Sequence, residues 1–130
     1  MIAHDYIVLD LETQRSIQEV GGRSQFHKLG VSIAVIYDST IDTTEVYREE
    51  RISELIRRLQ NAEQIVGFNV LHFDYPVLSG YGAVDWQKLP TIDLMRHIIG
   101  SLGFRLSLDN LARSTLNVQK SATGLQAIQW

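Results

Sequence analysis

Between residues 52 and 59 the apolar side chains Ile52, Leu55, Ile56 and Leu59 fall at i, i+3, i+4 and i+7. That spacing is one face of an amphipathic helix, with Arg51, Arg57 and Arg58 on the other. On both sides the period changes. Tyr6-Ile7-Val8-Leu9 upstream and Gln64-Ile65-Val66-Gly67-Phe68 downstream are short apolar runs rich in β-branched residues, and they read as buried strands. A strand, a helix and a strand in that order form a crossover, and crossovers join parallel strands. Any fold for this chain has to contain that unit.

Two further strands precede the helix. Leu29 to Tyr37 is apolar on both faces, as expected of a central strand. Asp38-Ser39-Thr40 makes a turn, and Thr43 to Tyr47 returns as the other arm of a hairpin. The polar segment Thr13 to His27, with Gly21-Gly22 inside it, reads as a mobile loop. Past the fourth strand, Pro76 suits the first turn of a short helix over Tyr75 to Ser79, which Gly80 and Gly82 end. Leu94 to Leu102 reads as a helix closed by Gly103, and Ser107 as the N-cap of another from Leu108 to about Leu116. The fold class is therefore α/β: a mixed sheet flanked by helices, the first three strands antiparallel and the fourth parallel to the first.

Composition sets limits on function. The chain has 130 residues, 45% of them apolar and 21% charged, which is enough to bury one core and too little for two domains. Residues 1–130 read as a single domain, with no repeat and no Ser/Gly-rich linker. There is no Cys, which excludes disulfides and thiolate metal sites. No secretory signal opens the chain. The longest mainly apolar stretch falls well short of the roughly 20 residues of a membrane helix. These features point to a cytoplasmic protein with no membrane partner. A net charge of -3 argues against a surface that grips nucleic acid all over, though not against a local basic groove.

The chemistry lies in the acids. Asp10 and Glu12 sit two apart at the end of the first strand, and strand alternation turns both to one face. Converging carboxylates repel and raise one another's pKa. A hard divalent cation removes that penalty, and carboxylate oxygen is the donor Mg²⁺ and Mn²⁺ prefer. Two solvated side chains at a strand end would show the same pattern. If strands one and four are parallel neighbours, Asp74 in Phe73-Asp74-Tyr75-Pro76 comes close to this pair. Asp74 also suits an N-cap, and the two roles are compatible.

Ile7-Val8-Leu9-Asp10-Leu11-Glu12-Thr13 resembles the first motif of the DEDD 3′→5′ exonuclease superfamily. Gly67-Phe68-Asn69 through Phe73-Asp74-Tyr75-Pro76 resembles its second, and Ile92-Asp93-Leu94 with Leu108-Asp109-Asn110-Leu111-Ala112 resembles its later region. The resemblance covers nearly the whole chain. It implies a ribonuclease-H-like fold and two-metal phosphodiester hydrolysis at nucleic-acid 3′ ends, with Mg²⁺ or Mn²⁺ ions about 3.5–4 Å apart. Asp10, Glu12 and Asp74 would be the metal ligands and catalytic residues. Asn69, Phe73 and groups at Leu11 and Thr13 would bind the terminal nucleotide of single-stranded DNA or RNA.

The family pattern carries a fourth acid on a C-terminal helix, preceded by a Tyr or His. No Asp or Glu follows Asp109 here, and the sequence closes at Trp130. The reading is thus a domain short of its last helix and its fourth ligand, weakened or inactive unless another chain supplies that ligand. A homodimer through the surface left by that helix is one such route. The alternative is a non-catalytic module of the same fold that binds nucleic acid or a partner. Asp93 follows a short run that reads as a strand and could stand behind the ligands, although an N-cap or a solvated face explains it and Asp109 equally. His72, two residues from Asp74, is expected to point away from it, and His97 is a second histidine to weigh as a base. Arg96, Arg105, Arg113 and Lys120 could track phosphates, or merely solubilise helix faces. Trp86 and Trp130 could stack bases, or pack in a core.

Overall fold

The computed structural model describes residues 5–96. They form a five-stranded sheet of β1 (Ile7–Thr13), β2 (Val31–Asp38), β3 (Thr43–Tyr47), β4 (Ile65–Gly67) and β5 (Thr91–Asp93). The strand order is β3-β2-β1-β4-β5. β1 pairs antiparallel with β2, which pairs antiparallel with β3, while β1–β4 and β4–β5 are parallel. The mixed α/β architecture read from the sequence is therefore present, with β4 parallel to β1 and beside it. β2 is an interior strand, as its two apolar faces predict, and β1 stands between it and β4. β5 is the strand expected at Asp93, although it is too short to show a period of its own.

Helix α1 spans Ile17–Val20, α2 Ile52–Gln60 and α3 Tyr75–Leu78. The four buried residues of α2 are Ile52, Leu55, Ile56 and Leu59, the same four picked out by their spacing. Each apolar side chain buried there is worth roughly 1.5–3 kcal/mol over exposure. α2 starts without a side-chain cap, through a 3-10 turn at Glu49–Arg51. Acids at its start and Arg57 and Arg58 in its last turn suit the helix dipole. The core face of the sheet is Ile7, Leu9 and Leu11 of β1, Ala34 and Ile36 of β2 and Tyr47 of β3. Arg58 of α2 reaches across that layer to pair with Asp38 of β2 and, at 2.7 Å, with Glu45 of β3.

The segment expected to be a mobile loop is structured instead. Ser16 caps α1 in a capping box with Glu19, and Gly21 closes it in the left-handed conformation at φ +98°. Gly22 follows at φ +108°, and Arg23–Lys28 continues as 3-10 turns that bury Phe26. A Cβ on Gly80 would stand 2.2 Å from the His27 carbonyl oxygen, so α3 and this segment meet backbone to backbone. Of the helix expected over Leu94 to Leu102, residues 94–96 are helical and the remainder lies outside the described residues, as does the one over Leu108 to Leu116. Among the described residues no helix is long and apolar enough to cross a membrane.

Candidate functional site

β1 carries the first two acids. Ile7, Leu9, Leu11 and Thr13 are buried, and the alternate positions Val8, Asp10 and Glu12 face the other way. Asp10 lies opposite Val35 of β2 and Glu12 opposite Ile33, with a register shift just after Glu12. The strand runs on to Thr13, so both acids stand in its second half rather than past its end.

Asp74 arrives from β4. A Cβ on Gly67 would lie 2.9 Å from the Val70 Cβ and 3.4 Å from the Leu9 carbonyl oxygen, so only glycine fits where the strand ends against β1. Asn69 then adopts the left-handed region at φ +61°, which Asn tolerates better than most side chains. Val70–Asp74 forms a π-helical turn packed against β1. It runs straight into α3, so the backbone of Asp74 is itself helical and its side chain makes no capping hydrogen bond. The N-cap reading of Asp74 is thereby replaced, because the π turn leaves no extended residue in front of the helix to act as a cap.

Asp74 is the acid on which the others act. Asp74 is only 5% exposed. Burial is the largest influence on its carboxyl and pushes it well above the usual carboxylate range. The charges of Asp10, Asp93 and Glu12 push the same way, and a hydrogen bond from its own backbone opposes them. Among the described residues neither Asp10 nor Asp74 forms an ion pair with Lys or Arg. Asp10, Glu12 and Asp74 are all-oxygen donors that repel one another, a set suited to a hard divalent cation. Among the described residues, however, no three His, Cys, Asp or Glu side chains already stand close enough to enclose one ion.

The other expected site residues divide. Leu11 and Thr13 face the core, and the Thr13 hydroxyl donates to the Arg15 carbonyl oxygen at 2.9 Å. Their side chains are therefore on the face away from Asp10 and Glu12. Asn69 and Phe73 line a recess of about 660 Å³ together with Ile17, Arg23, Phe26 and His72. Its floor is an edge-to-face pair, Phe26 against Phe73, with ring centroids 5.3 Å apart. His72 is exposed at this recess. Arg23 and Phe26 escaped notice in the sequence because 3-10 turns leave no long apolar period to follow. Trp86 stacks on Tyr75 at 5.1 Å, packing the edge of the core. His97, Arg105, Asp109, Arg113, Lys120 and Trp130 lie outside the described residues.

A family model of the RNase_H superfamily, RNase_H_2, matches residues 8–130. No curated protein matches the sequence significantly. Among solved structures, the family B DNA polymerase from the hyperthermophilic archaeon Pyrobaculum calidifontis matches with a TM-score of 0.68 at 17% identity. That match covers 96% of this chain and 20% of the polymerase chain, so the two share a fold over about a fifth of the larger molecule.

Proposed function

The chain belongs to the RNase_H superfamily, and from that premise we propose a metal-dependent 3′→5′ exonuclease-type domain of the DEDD class, acting on single-stranded DNA or RNA 3′ ends. One observation carries the reading: Asp74, buried at the end of the π turn, is held toward its neutral form by burial and by the charges of Asp10 and Glu12. A fold gains nothing from burying a carboxyl among like charges, and such clusters mark sites where a counter-charge belongs. Asp10, Glu12 and Asp74 would hold Mg²⁺ or Mn²⁺. Bound there, two divalent ions supply Lewis acidity and a water of lowered pKa for phosphodiester hydrolysis.

The chain's own residues do the rest. Asp10, which faces outward from the middle strand, would hold the metal together with Glu12 and Asp74. Asn69 and Phe73 orient the terminal nucleotide at the recess, Asn69 by hydrogen bonding and Phe73 by ring packing. Leu11 and Thr13 act through their backbone, since their side chains belong to the core. Where a second chain supplies the fourth acid, a strand labelled at its 5′ end and incubated with Mn²⁺ should shorten from the 3′ end, and without that acid the shortening should be weak or absent. Asp10→Ala should abolish the shortening, and a native chain that takes up no Mn²⁺ at millimolar concentration would remove the basis of the proposal.

The absence, among the described residues, of three acids already close enough for one ion favours a second reading. In it the same face binds nucleic-acid ends, or a second copy of the chain, without cutting. It predicts strand binding that is unaffected by EDTA and no shortening at all.

A further inference from the structure

Asp93 closes β5, and Gly67, the last residue of β4, is its partner across the parallel pair. It is only 4% exposed, which sets aside the solvated-face explanation. Both of its oxygens are turned to backbone amides. Oδ1 accepts from the Asn69 N–H at 2.8 Å and from the Met95 N–H at 3.0 Å, and Oδ2 accepts from the Leu71 N–H at 3.0 Å. Asn69 makes no side-chain cap for the π turn that it precedes. The cap comes from Asp93, one strand over, and the same carboxylate caps its own helical residues 94–96. Three amide hydrogen bonds thus converge on one side chain. They hold Asn69 in its left-handed conformation and fix the first turn of the segment that ends at Asp74.

We propose that Asp93 is a positioning residue for the acidic centre: through the amides of Asn69 and Leu71 it sets where the π turn delivers Asp74 against Asp10 and Glu12. Three of its roughly four acceptor sites are taken up by backbone amides, so the role assigned to it is positional. The proposal rests on Asp74 being a ligand, as argued above. A supporting group of this kind changes metal affinity by roughly 10–100-fold when it is removed.

The test compares Asp93→Asn and Asp93→Ala with the native chain in two measurements. The first is amide hydrogen exchange followed by NMR in EDTA. Exchange at Asn69, Leu71 and Met95 should quicken about tenfold or more, while β1 and α2 keep their protection. The second is Mn²⁺ titration by calorimetry at a temperature where the variants are folded. Affinity should fall roughly 10–100-fold in Asp93→Ala, and less in Asp93→Asn, which keeps one acceptor oxygen. If Asp93→Ala does not fold, Asp93→Asn decides the matter alone. Exchange that quickens evenly along the whole chain would reduce Asp93 to general support and overturn the proposal, as would unchanged Mn²⁺ affinity once the turn amides are released. A native chain that binds no Mn²⁺ would defeat the metal reading instead. The exchange map would then still decide whether Asp93 holds the turn that carries Asp74.

Discussion

With divalent metal removed, Asp74→Asn should make the protein more stable at neutral pH, and the size of the gain follows from one proton. In the unfolded chain an Asp titrates near about 3.9. In the fold, burial and then the charge of Asp10 raise Asp74 well above that. Between the two values the folded state holds one proton more than the unfolded state, so unfolding free energy falls as pH rises. The limiting slope is about 1.4 kcal/mol per pH unit. Below the unfolded value nothing is lost, and above the folded value the full loss remains. Asn carries no proton, so that slope is absent from the variant. Coupling to Asp10 and Glu12 spreads the titration over a wider range without changing its sign. For a chain of this size, 1 kcal/mol corresponds to roughly 4 °C in Tm. Urea unfolding followed by circular dichroism from pH 4 to 8 in EDTA should show the native chain dropping away from the variant. Mn²⁺ should close the gap: at 100 times its Kd it adds about 2.7 kcal/mol to the native chain and little to Asp74→Asn. Parallel pH curves in EDTA, or a variant less stable than the native chain at pH 7, would refute the reasoning.

Four other perturbations test neighbouring parts of the argument. Leu55→Ala empties a fully buried position of α2 and should cost about 2–5 kcal/mol in urea unfolding. Arg58→Ala leaves Asp38 and Glu45 without their cation, at an expected cost of about 1–3 kcal/mol at pH 7, since the site is only partly screened by solvent. Asp38 is held below the usual carboxylate range, first by the Thr40 hydroxyl and also by Arg58, and Glu45 is lowered chiefly by Arg58. Their stabilisation is therefore present above the ordinary carboxylate pKa and lost as pH falls through the folded values, so the Arg58→Ala deficit should shrink toward pH 3. Gly67→Ala, pressed against Val70 and Leu9, should lose about 1–3 kcal/mol and weaken Mn²⁺ binding with it, read by calorimetry. Gly80→Ala would drive a methyl into the His27 carbonyl, whereas Gly82→Ala meets only Ile56 Cδ1 at an ordinary 3.7 Å. The first should unfold at clearly lower urea than the second, which should stay within about 0.5 kcal/mol of the native chain.

How much of this was legible in the chain follows from what each feature depends on. The buried stripe of α2 and the shared face of Asp10 and Glu12 need only the period of their own element, so spacing alone assigned them correctly. The β2–β3 hairpin needs only a short turn. β5 is different: Thr91-Ile92-Asp93 is too short to show a period, and it becomes a strand because β4 lies beside it and the Ile65 N–H donates to the Pro90 carbonyl at 2.7 Å. β2 was legible as a central strand from its two apolar faces, and it lies between β3 and β1. Arg23–Lys28 is ordered by glycines, 3-10 turns and the contact with α3, none of which leaves a repeating signature. The acids mark the boundary most sharply. Asp74 read as a candidate ligand that also suited an N-cap, since a Pro two residues on suggests a fresh helix start, yet the helical winding begins four residues earlier as a π turn. Asp93 read as a residue behind the ligands, a cap or a solvated side chain, and it is a cap, for a turn more than twenty residues upstream. What a lone Asp does is decided by which amides and which charges the sheet brings to it, and strand pairing, unlike alternation, is not written in its neighbours.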